Sequence, residues 1–411
     1  MKNSSMEAKR VCMITHSFYE SDNRVIRYAE ALAQRGDYVE VAALRRGPEL
    51  PKEETINGVK VFRIQDRFGK RERTKGSYLW PLLRFLASSS WWITRRHLRQ
   101  RYDVVHVHNI PDFLVFSAWW PKLTGSRIIL DIHDIVPEFF ASKFKVPERS
   151  LLIRGLKFVE KWSASFADHV IIANHLWLDR YTARSARKDK CSVFINYVDT
   201  NVFKSKQCAN ANVKPLILFP GGLQWHQGLD VAMRAFAGLR HRIPDAEFHI
   251  YGEGNMKQAL IGLKAELGLN GSVRFFNPLR LQEIAGVMAN ADLGVVPKRA
   301  DSFGNEAYST KIMEFMALGV PVVVSSTKID RFYFDDSVVR FFESGNSEAL
   351  TEAMYEVLTK HTDRRAMVAR ALQYALRNSW DNRRADYLAL VDSLCATSGE
   401  GSVTRPKPLA A

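Results

Sequence analysis

The sequence has few cysteines and no long apolar run, and each shortage excludes a class of protein. Its four cysteines are scattered through 411 residues, without the spacing of a metal site or a disulfide framework. No stretch reaches the roughly 18 apolar residues that a transmembrane helix needs, so we expect none. Residues 1–10 are polar and lack the apolar run of a signal peptide. Together these features predict a cytoplasmic protein.

Acidic side chains are scarce in one stretch of the first half. Residues 60–101 hold 12 basic and 2 acidic side chains, whereas residues 201–411 hold 25 and 22. Within this stretch, basic clusters at 67–75 and 95–101 flank Tyr78, Trp80, Phe85, Trp91 and Trp92. This pattern is typical of a helix at the surface of an anionic membrane. We therefore predict that residues 67–101 make peripheral contact with the inner face of the cell membrane. The alternative is a crossover helix that packs on a sheet and leaves a basic face in solvent.

Short apolar runs alternate with segments of helical period, in two successive series. The runs lie at 11–14, 39–44, 59–64, 104–107, 128–132 and 170–173, and again at 216–219, 247–251, 273–276, 293–296 and 321–324. Such alternation predicts α/β domains with mostly parallel sheets covered on both faces. We expect two Rossmann-like domains that face an interdomain cleft, with the ligand-binding loops after the strands.

The predicted divisions follow from changes in composition along the chain. They are an N-terminal Rossmann-like domain at 1–198, a linker at 199–213, a C-terminal Rossmann-like domain at 214–378, a helix at 379–395 packing back toward the first domain, and a disordered tail at 396–411.

The most specific motif is FGNEAYSTKIMEFMALGVPVVV at residues 303–324. If a helix begins near Ser309 or Thr310, Glu306 lies in the loop before it and Glu314 in its second turn. The free amides of residues 308–311, the helix dipole and Lys311 then suit a phosphate, and each carboxylate can accept hydrogen bonds from sugar hydroxyls. The alternative is an amphipathic helix that carries two solvated glutamates.

This motif resembles the donor-binding signature of family-4 glycosyltransferases, which have the GT-B fold. Eight further segments are similar to that family in the expected order, at 21–44, 103–109, 130–140, 167–174, 192–203, 220–236, 248–254 and 291–297. The resemblance implies a retaining enzyme that moves a sugar from a nucleotide-diphosphate sugar to a glycan or polyprenyl-linked acceptor, in polysaccharide or glycoconjugate biosynthesis. It also implies chemistry without a metal ion, which agrees with the lack of an Asp-x-Asp motif, so we expect no cofactor.

The resemblance also implies roles for individual residues. The predicted catalytic residues are Glu306, at the donor sugar, and His133, which reaches the same sugar from the first domain. The predicted donor-binding residues are Glu314, Lys311, Tyr308, Ser309, Thr310, Gly221, Gly222, Gln227, Arg280 and Lys298. For His133, the alternative is a helix-capping or core histidine.

Three residues after the first predicted strand are candidates for the acceptor side. Asp22, Arg24 and Arg27 lie where loops of an open α/β sheet meet ligands, and either arginine could face an acceptor phosphate. The alternative is an ordinary exposed start of a helix.

One departure from the family concerns the donor diphosphate. Relatives carry an Arg and a Lys in the pattern G-R-L-x-x-x-K-G, where this chain has Gly222 and Gln227. Lys298, Arg299 or Lys311 could supply the missing charge, backbone amides could bind more of the diphosphate, or the site could be inactive. A non-catalytic scaffold that binds a nucleotide sugar or a partner enzyme is therefore the alternative function. A nucleic-acid binder rests on net charge alone and lacks a motif, so we expect no nucleic-acid partner.

Overall fold

A computed structural model describes residues 8–67, 75–144, 146–147, 149–205 and 214–396, without the side chains of residues 75–78 and 142–143. The chain forms two compact units: unit 1 comprises the described residues up to Ile195 and those from Arg384 onward, and unit 2 comprises Asn196–Arg383. Residues 206–213 of the predicted linker and 397–411 of the predicted tail lie outside the description. Among the described residues, no helix combines the length and apolar content needed to cross a bilayer.

Unit 1 is built on an eight-stranded sheet. Its strands are β1 (Arg10–Thr15), β2 (Tyr38–Arg45), β3 (Glu53–Ile56), β4 (Val59–Asp66), β5 (Val104–His108), β6 (Arg127–Ile132), β7 (His169–Ile172) and β8 (Cys191–Val193). Its first helices are α1 (Asn23–Arg35), α2 (Lys75–Arg99), α3 (Trp119–Leu123), α4 (Val136–Phe144), α5 (Leu151–Phe166) and α6 (His175–Arg184), with a 3-10 segment at Asp112–Ala118.

The sheet of unit 1 is parallel except at one edge. The strand order is β3-β4-β2-β1-β5-β6-β7-β8, and only β3 pairs antiparallel with its neighbour, β4. The central strands are buried and consist largely of β-branched residues, as expected of strands covered on both faces. The order reverses between β1 and β5, so their carboxyl ends form the switch point where open α/β sheets bind ligands.

Unit 2 repeats this architecture with six parallel strands. They are β9 (Leu216–Pro220), β10 (Glu247–Tyr251), β11 (Val273–Phe276), β12 (Leu293–Val296), β13 (Val322–Ser325) and β14 (Arg340–Phe342). The helices are α7 (Leu229–Arg240), α8 (Lys257–Glu266), α9 (Leu281–Met288), α10 (Thr310–Leu318), α11 (Lys328–Tyr333), α12 (Ser347–Thr359) and α13 (His361–Arg377). A last helix, α14 (Trp380–Ala396), begins in unit 2 and continues into unit 1.

The strand order in unit 2 is β11-β10-β9-β12-β13-β14. Numbered from β9, this is the 3-2-1-4-5-6 order of the Rossmann fold, and its switch point lies between β9 and β12. The sequence-based prediction of an α/β protein with two Rossmann-like domains is therefore confirmed. The predicted motif at 303–324 occupies the connection from β12, through α10, to β13.

Candidate functional site

Two loops meet at the switch point of unit 2, one after β9 and one after β12. The backbone N–H of Arg299 donates to the carbonyl of His226 at 2.8 Å, which joins the loops directly. Gly228 allows this approach, because a Cβ at that position would lie 2.0 Å from the Pro297 carbonyl oxygen. Gly228 ends the GGLQWHQG segment at residues 221–228. The glycines of this segment thus bring the two loops together.

Gly221 leaves space for a cation from α10. Its φ of +138° is a conformation that favours glycine, and a Cβ there would lie 2.5 Å from Cε of Lys311. The Gly221 N–H donates to the Tyr251 carbonyl at 2.8 Å, which fixes the loop on the end of β10. A larger residue at 221 would displace the lysine or strain the loop.

Lys311 is the cation that the structure places at this switch point. Its ammonium donates to Oε1 of Gln227 at 3.1 Å, so the glutamine that replaces the family's lysine holds Lys311 beside the glycine loop. Burial lowers the pKa of Lys311 to about 8, and the nearby Glu314 carboxylate opposes that shift. Among the three candidate cations, Lys311 best fits the interpretation that another residue supplies the missing charge.

The start of α10 adds polar groups to the same place. The helix begins at Thr310 as predicted, and no side chain caps its first turn, so the amides there are available to a ligand. The Ser309 hydroxyl and the Tyr308 phenol are buried and have no hydrogen-bond partner within the described part of the chain. Buried polar atoms are rarely left unpaired, and a bound anion or sugar would satisfy them.

The two predicted glutamates flank this helix. Glu306 lies in the turn before α10, where its N–H donates to the Phe303 carbonyl at 3.0 Å, and Glu314 lies in the second turn. Both side chains are partly buried, which differs from the alternative of two fully solvated glutamates. Their predicted contacts with the donor sugar and the ribose stay predictions.

Two other predicted cations are engaged elsewhere. The Lys298 ammonium is buried and pairs with Asp330 at 2.9 Å, and it also donates to the Ala307 carbonyl at 2.7 Å. This geometry argues against the predicted donor contact of Lys298 and indicates that it holds the loop before α10. Arg299 pairs with Asp230 and lies over the Trp225 ring at 3.7 Å.

The remaining donor-side predictions lie at the same edge of the sheet. The Tyr251 and Phe276 rings stack at 4.5 Å at the ends of β10 and β11, ahead of the loop that leads to Arg280. Arg280 starts α9, is exposed and pairs with Glu283. Gly222 adjoins the amide of Gln224, which a Cβ at 222 would approach to 2.2 Å.

Unit 1 has a cavity of about 260 Å³ at its own switch point. Its walls come from the residues that follow β1, β5 and β6, and the lining residues are Thr15, His16, Ser17, Asp22, Arg67, Leu82, Asn109, Ile110, His133 and Asp134. Two of the residues predicted from the sequence, Asp22 and His133, therefore face the same small polar cavity.

His133 is held by neighbours on β5 and β6. The backbone N–H of His133 donates to Oδ1 of Asn109 at 2.7 Å. Nε2 of its imidazole lies 3.2 Å from both Asp131 Oδ2 and His108 Nδ1. The partly exposed imidazole lines the cavity, whereas Asp131 and His108 are fully buried. His133 is thus neither a helix cap nor a core histidine.

Arg24 has a different place from the one predicted. Its side chain is 5% exposed, and its Nε and Nη2 bond to the two carboxylate oxygens of Asp131 at 2.7 and 2.8 Å. The burial and pairing of Arg24 argue against a contact with an acceptor phosphate. The Arg24 charge and the adjacent histidines keep the pKa of Asp131 well below its usual range, although burial alone would raise it.

Asp22 caps α1 and also faces the cavity. Its carboxylate accepts hydrogen bonds from the Val25 N–H and the Ser17 hydroxyl. Burial raises the pKa of Asp22, but His133 and these hydrogen bonds outweigh burial, so the net shift is downward. Arg27 is partly exposed and donates to the Asn23 carbonyl at 2.9 Å, so its predicted acceptor contact stays a prediction.

Asp134 is a candidate site residue that the sequence analysis did not single out. In the structure it lines the cavity beside His133, and burial raises the pKa of its carboxyl group to about 6. A carboxyl group that titrates near neutral pH suits proton transfer. Its position directly after His133 in the LDIHD segment was the available signal.

The described residues include one group with the geometry of a metal site: His106, His108 and Asp131, all buried. Both oxygens of that aspartate already bond to Arg24, whose positive charge disfavours a second cation there. The residues therefore do not fit a metal ion well.

Comparison with known proteins extends the resemblance over nearly the whole chain. Residues 22–196 match the family described as "Glycosyl transferase 4-like domain", and residues 203–374 match "Glycosyl transferases group 1". A D-inositol 3-phosphate glycosyltransferase of Corynebacterium urealyticum is 30% identical over 203 residues, which span 46% of this chain and 46% of that protein. The same enzyme of Nocardia farcinica is 27% identical over 386 residues, covering 87% of this chain and 80% of that protein.

Solved structures show the same fold. Sucrose-phosphate synthase from Thermosynechococcus elongatus superposes with a TM-score of 0.76 at 18% identity, covering 95% of this chain and all of that one. The Anabaena protein HepE, in complex with UDP and glucose, superposes with a TM-score of 0.70 at 16% identity, covering 94% of this chain and all of that one. With both halves matched and both Rossmann-like units in place, the chain belongs to the family-4 glycosyltransferases of the GT-B fold.

Proposed function

We propose that this glycosyltransferase moves a sugar from a nucleotide-diphosphate sugar to a glycan or lipid-linked acceptor, and that it retains the anomeric configuration. The proposal rests on one observation: Lys311, the uncapped start of α10 and the glycine loop after β9 converge at the switch point of unit 2. A cation, free amides and space for close approach are what a diphosphate requires.

The two glutamates complete the donor site in this proposal. Glu314, one turn into α10, accepts hydrogen bonds from the ribose hydroxyls. Glu306, in the turn before the helix, contacts the donor sugar. Ser309 lies between the two glutamates in the chain, and its hydroxyl has no hydrogen-bond partner within the described residues. We therefore propose that this hydroxyl also donates to the phosphate.

The proposed transfer breaks the bond between the anomeric carbon and the departing phosphate oxygen. The acceptor hydroxyl attacks the same face of the sugar, and its proton passes to that phosphate oxygen. Lys311 and the dipole of α10 stabilise the charge that develops on the diphosphate. This scheme uses groups of the protein together with the donor's own phosphate oxygen and requires no metal ion. His133 lines the cavity of unit 1, and its predicted contact with the donor sugar stays a prediction.

The geometry favours an enzyme over an inactive scaffold. The scaffold hypothesis rested on the missing arginine and lysine, but Gln227, one of the two replacements, holds a substitute ammonium group. A degenerate site would not be expected to keep a half-buried lysine against a glycine whose conformation suits it.

A thermal-shift panel of UDP-, GDP- and ADP-sugars tests donor binding. We expect one nucleotide to raise the melting temperature of the wild type, and Glu314→Ala to reduce that rise. Glu266→Ala, at the exposed C-terminal end of α8, is the matched control. If none of the nucleotide diphosphates stabilises the wild type, the donor site as proposed is wrong.

Hydrolysis of the identified donor distinguishes catalysis from binding. We expect the purified protein to release free sugar slowly and a membrane extract to accelerate consumption of the donor, since the extract supplies a lipid-linked acceptor. Binding without any turnover under both conditions would favour the scaffold.

We further propose that the protein contacts an anionic membrane through residues 67–101, as a cytoplasmic protein at the inner face. Part of this segment, including Lys70, Arg71 and Arg73, lies outside the described residues. In the described part, Trp80 and Trp91 of α2 are exposed, at 70% and 63%. Exposed tryptophans beside arginines are typical of a helix at a bilayer surface, and such a site would bring the enzyme to a lipid-linked acceptor.

A further inference from the structure

Large apolar side chains are exposed mainly on three helices of unit 1. Of the sixteen such side chains in the described part of the chain, eleven belong to α2, α3 and α5. They are Leu79, Trp80, Leu83, Trp91, Leu98, Trp119, Leu123, Leu151, Leu152, Phe158 and Trp162. Scattered exposed apolar residues are ordinary, but a concentration of this kind marks an interaction surface.

The α2 residues form a stripe along one side of the helix. Trp80, Arg84, Trp91, Arg95 and Leu98 are all exposed and recur every three or four residues, or multiples of that spacing. The opposite side of α2 is buried in the core of unit 1. The helix is therefore amphipathic in an unusual way, because its outer side is aromatic and basic.

Helix α5 has a second stripe of the same composition, outside the segment 67–101. Leu151, Phe158 and Trp162 are exposed on one side, and the rings of Phe158 and Trp162 are 5.6 Å apart. Arg154 and Lys161 are exposed next to them. The other side of α5 is buried and packs against α4 and the 3-10 segment Asp112–Ala118.

The two stripes belong to helices that pack against a common element. Both α2 and α5 pack against the 3-10 segment Asp112–Ala118, which leads directly into α3. Nε1 of Trp119, the first residue of α3, donates to the Ser90 hydroxyl of α2 at 3.0 Å. On the other flank, the Phe116 ring contacts the Phe166 ring of α5 at 5.3 Å. We call α2, α3 and α5 with their exposed side chains the three-helix surface.

The charge of this surface is almost entirely positive. Residues 75–101 and 119–126 contain no Asp or Glu, and residues 149–166 contain only Glu160. That glutamate is fully buried and paired with Arg184 at 2.7 Å, so it adds no negative charge to the outside.

We propose that α5 is a second membrane-docking helix and that the three-helix surface binds an anionic bilayer as one unit. Aromatic and leucine side chains would enter the boundary between headgroups and acyl chains, and the flanking cations would meet lipid phosphates. This inference deepens the membrane contact proposed above and rests on it. It predicts that α2 alone gives only part of the membrane affinity.

Sedimentation with vesicles tests the proposal. The probes are phosphatidylcholine vesicles with and without phosphatidylglycerol, and the variants are Phe158→Ser/Trp162→Ser in α5 and Trp80→Ser/Trp91→Ser in α2. Ile261→Ser/Leu376→Ser removes two exposed apolar side chains of unit 2 and is the matched control. Thermal unfolding verifies that each variant is folded.

We expect the wild type and the control to bind only the anionic vesicles, and each of the other double variants to bind at least about tenfold more weakly. Arg154→Gln/Lys161→Gln should weaken binding by about thirtyfold. The variant removes two cations, and each cation near an anionic surface raises the affinity about five- to sixfold. If the α5 variants bind like the wild type while the α2 variant does not, the proposal for α5 is wrong.

Two further measurements separate the alternatives. Light scattering after size exclusion reports the oligomeric state, and a wild-type dimer that the α5 variant dissociates, with vesicle binding unchanged, would show that a second copy covers α5 and overturn the proposal. Donor hydrolysis in solution should be the same in the α5 variant and the wild type. If no form of the protein, the wild type included, hydrolyses the donor, the enzymatic function is refuted and the vesicle result is unaffected.

Discussion

The lowered pKa of Lys311 makes donor binding dependent on pH. With a pKa of about 8 in the unliganded protein, the ammonium form makes up roughly nine-tenths of the population at pH 7 and roughly one-tenth at pH 9. If only that form binds the diphosphate, the dissociation constant should rise about tenfold between pH 7 and pH 9. The sign follows from the chemistry, because a neutral amine offers no positive charge to the phosphates.

Lys311→Met removes both the charge and its titration. A hydrogen bond to a charged group contributes about 1.5–3 kcal/mol, so the dissociation constant at pH 7 should rise roughly ten- to a hundredfold. The variant should also lose the tenfold change between pH 7 and pH 9. Lys264→Met, on α8, serves as the control and should behave like the wild type.

Isothermal titration calorimetry at constant ionic strength measures both effects. The titrant is the nucleoside diphosphate that stabilises the wild type in the thermal-shift panel. Equal affinity of the wild type at pH 7 and pH 9 would show that the ammonium of Lys311 does not bind the diphosphate. The same conclusion would follow if Lys311→Met retained the full dependence on pH.

Three further predictions follow from close contacts. Gly221→Ala should weaken nucleotide binding in the same calorimetric assay, because its Cβ would lie 2.5 Å from Cε of Lys311. The melting temperature should fall as well, because a φ of +138° strains alanine; unchanged affinity would show that the loop has room to adjust. Arg24→Met should lower the free energy of unfolding of unit 1 by about 3–5 kcal/mol, since it leaves the buried Asp131 carboxylate unpaired. Urea unfolding followed by circular dichroism measures this loss, and a smaller loss would show that water reaches the carboxylate. The depressed pKa of Asp131 stabilises the native state above about pH 4, which is the pKa of an unfolded aspartate. This stability should be lost as the pH falls below that value. If the urea midpoint of the wild type were as high at pH 3 as at pH 6, this prediction would be wrong.

The sheets could be predicted from the sequence because their strands are short, apolar and rich in β-branched residues. The runs predicted at 104–107 and 216–219, for example, correspond to β5 and β9 within one residue. The strands that were missed are short or half-exposed. β8 and β14 have three residues each, and β3 is an antiparallel edge strand whose side chains alternate between exposed and partly buried. Strands this short or this polar contain too few apolar residues for an apolar run to be recognised in the sequence.

The donor site was predicted only in part. The start of α10 and the order of its two glutamates followed from the motif, because turn residues and helical period are local. The choice of Lys311 over Lys298 and Arg299 required the geometry of two loops that are far apart in the chain. The pairing of Arg24 with Asp131 joins residues separated by 107 positions, and no local pattern predicts such a contact.

Tyr387, on the last helix, has a consequence for how the protein is made. Its fully buried ring stacks on Tyr28 at 4.2 Å, and its hydroxyl lies 2.9 Å from Nδ1 of His106, so helix α14 fills a hole in the core of unit 1. During synthesis, the ribosome must therefore finish unit 2 before the first-made unit can close. Until then the nascent N-terminal sheet exposes the apolar surface that Tyr387 will cover, and exposed surface of this kind favours aggregation.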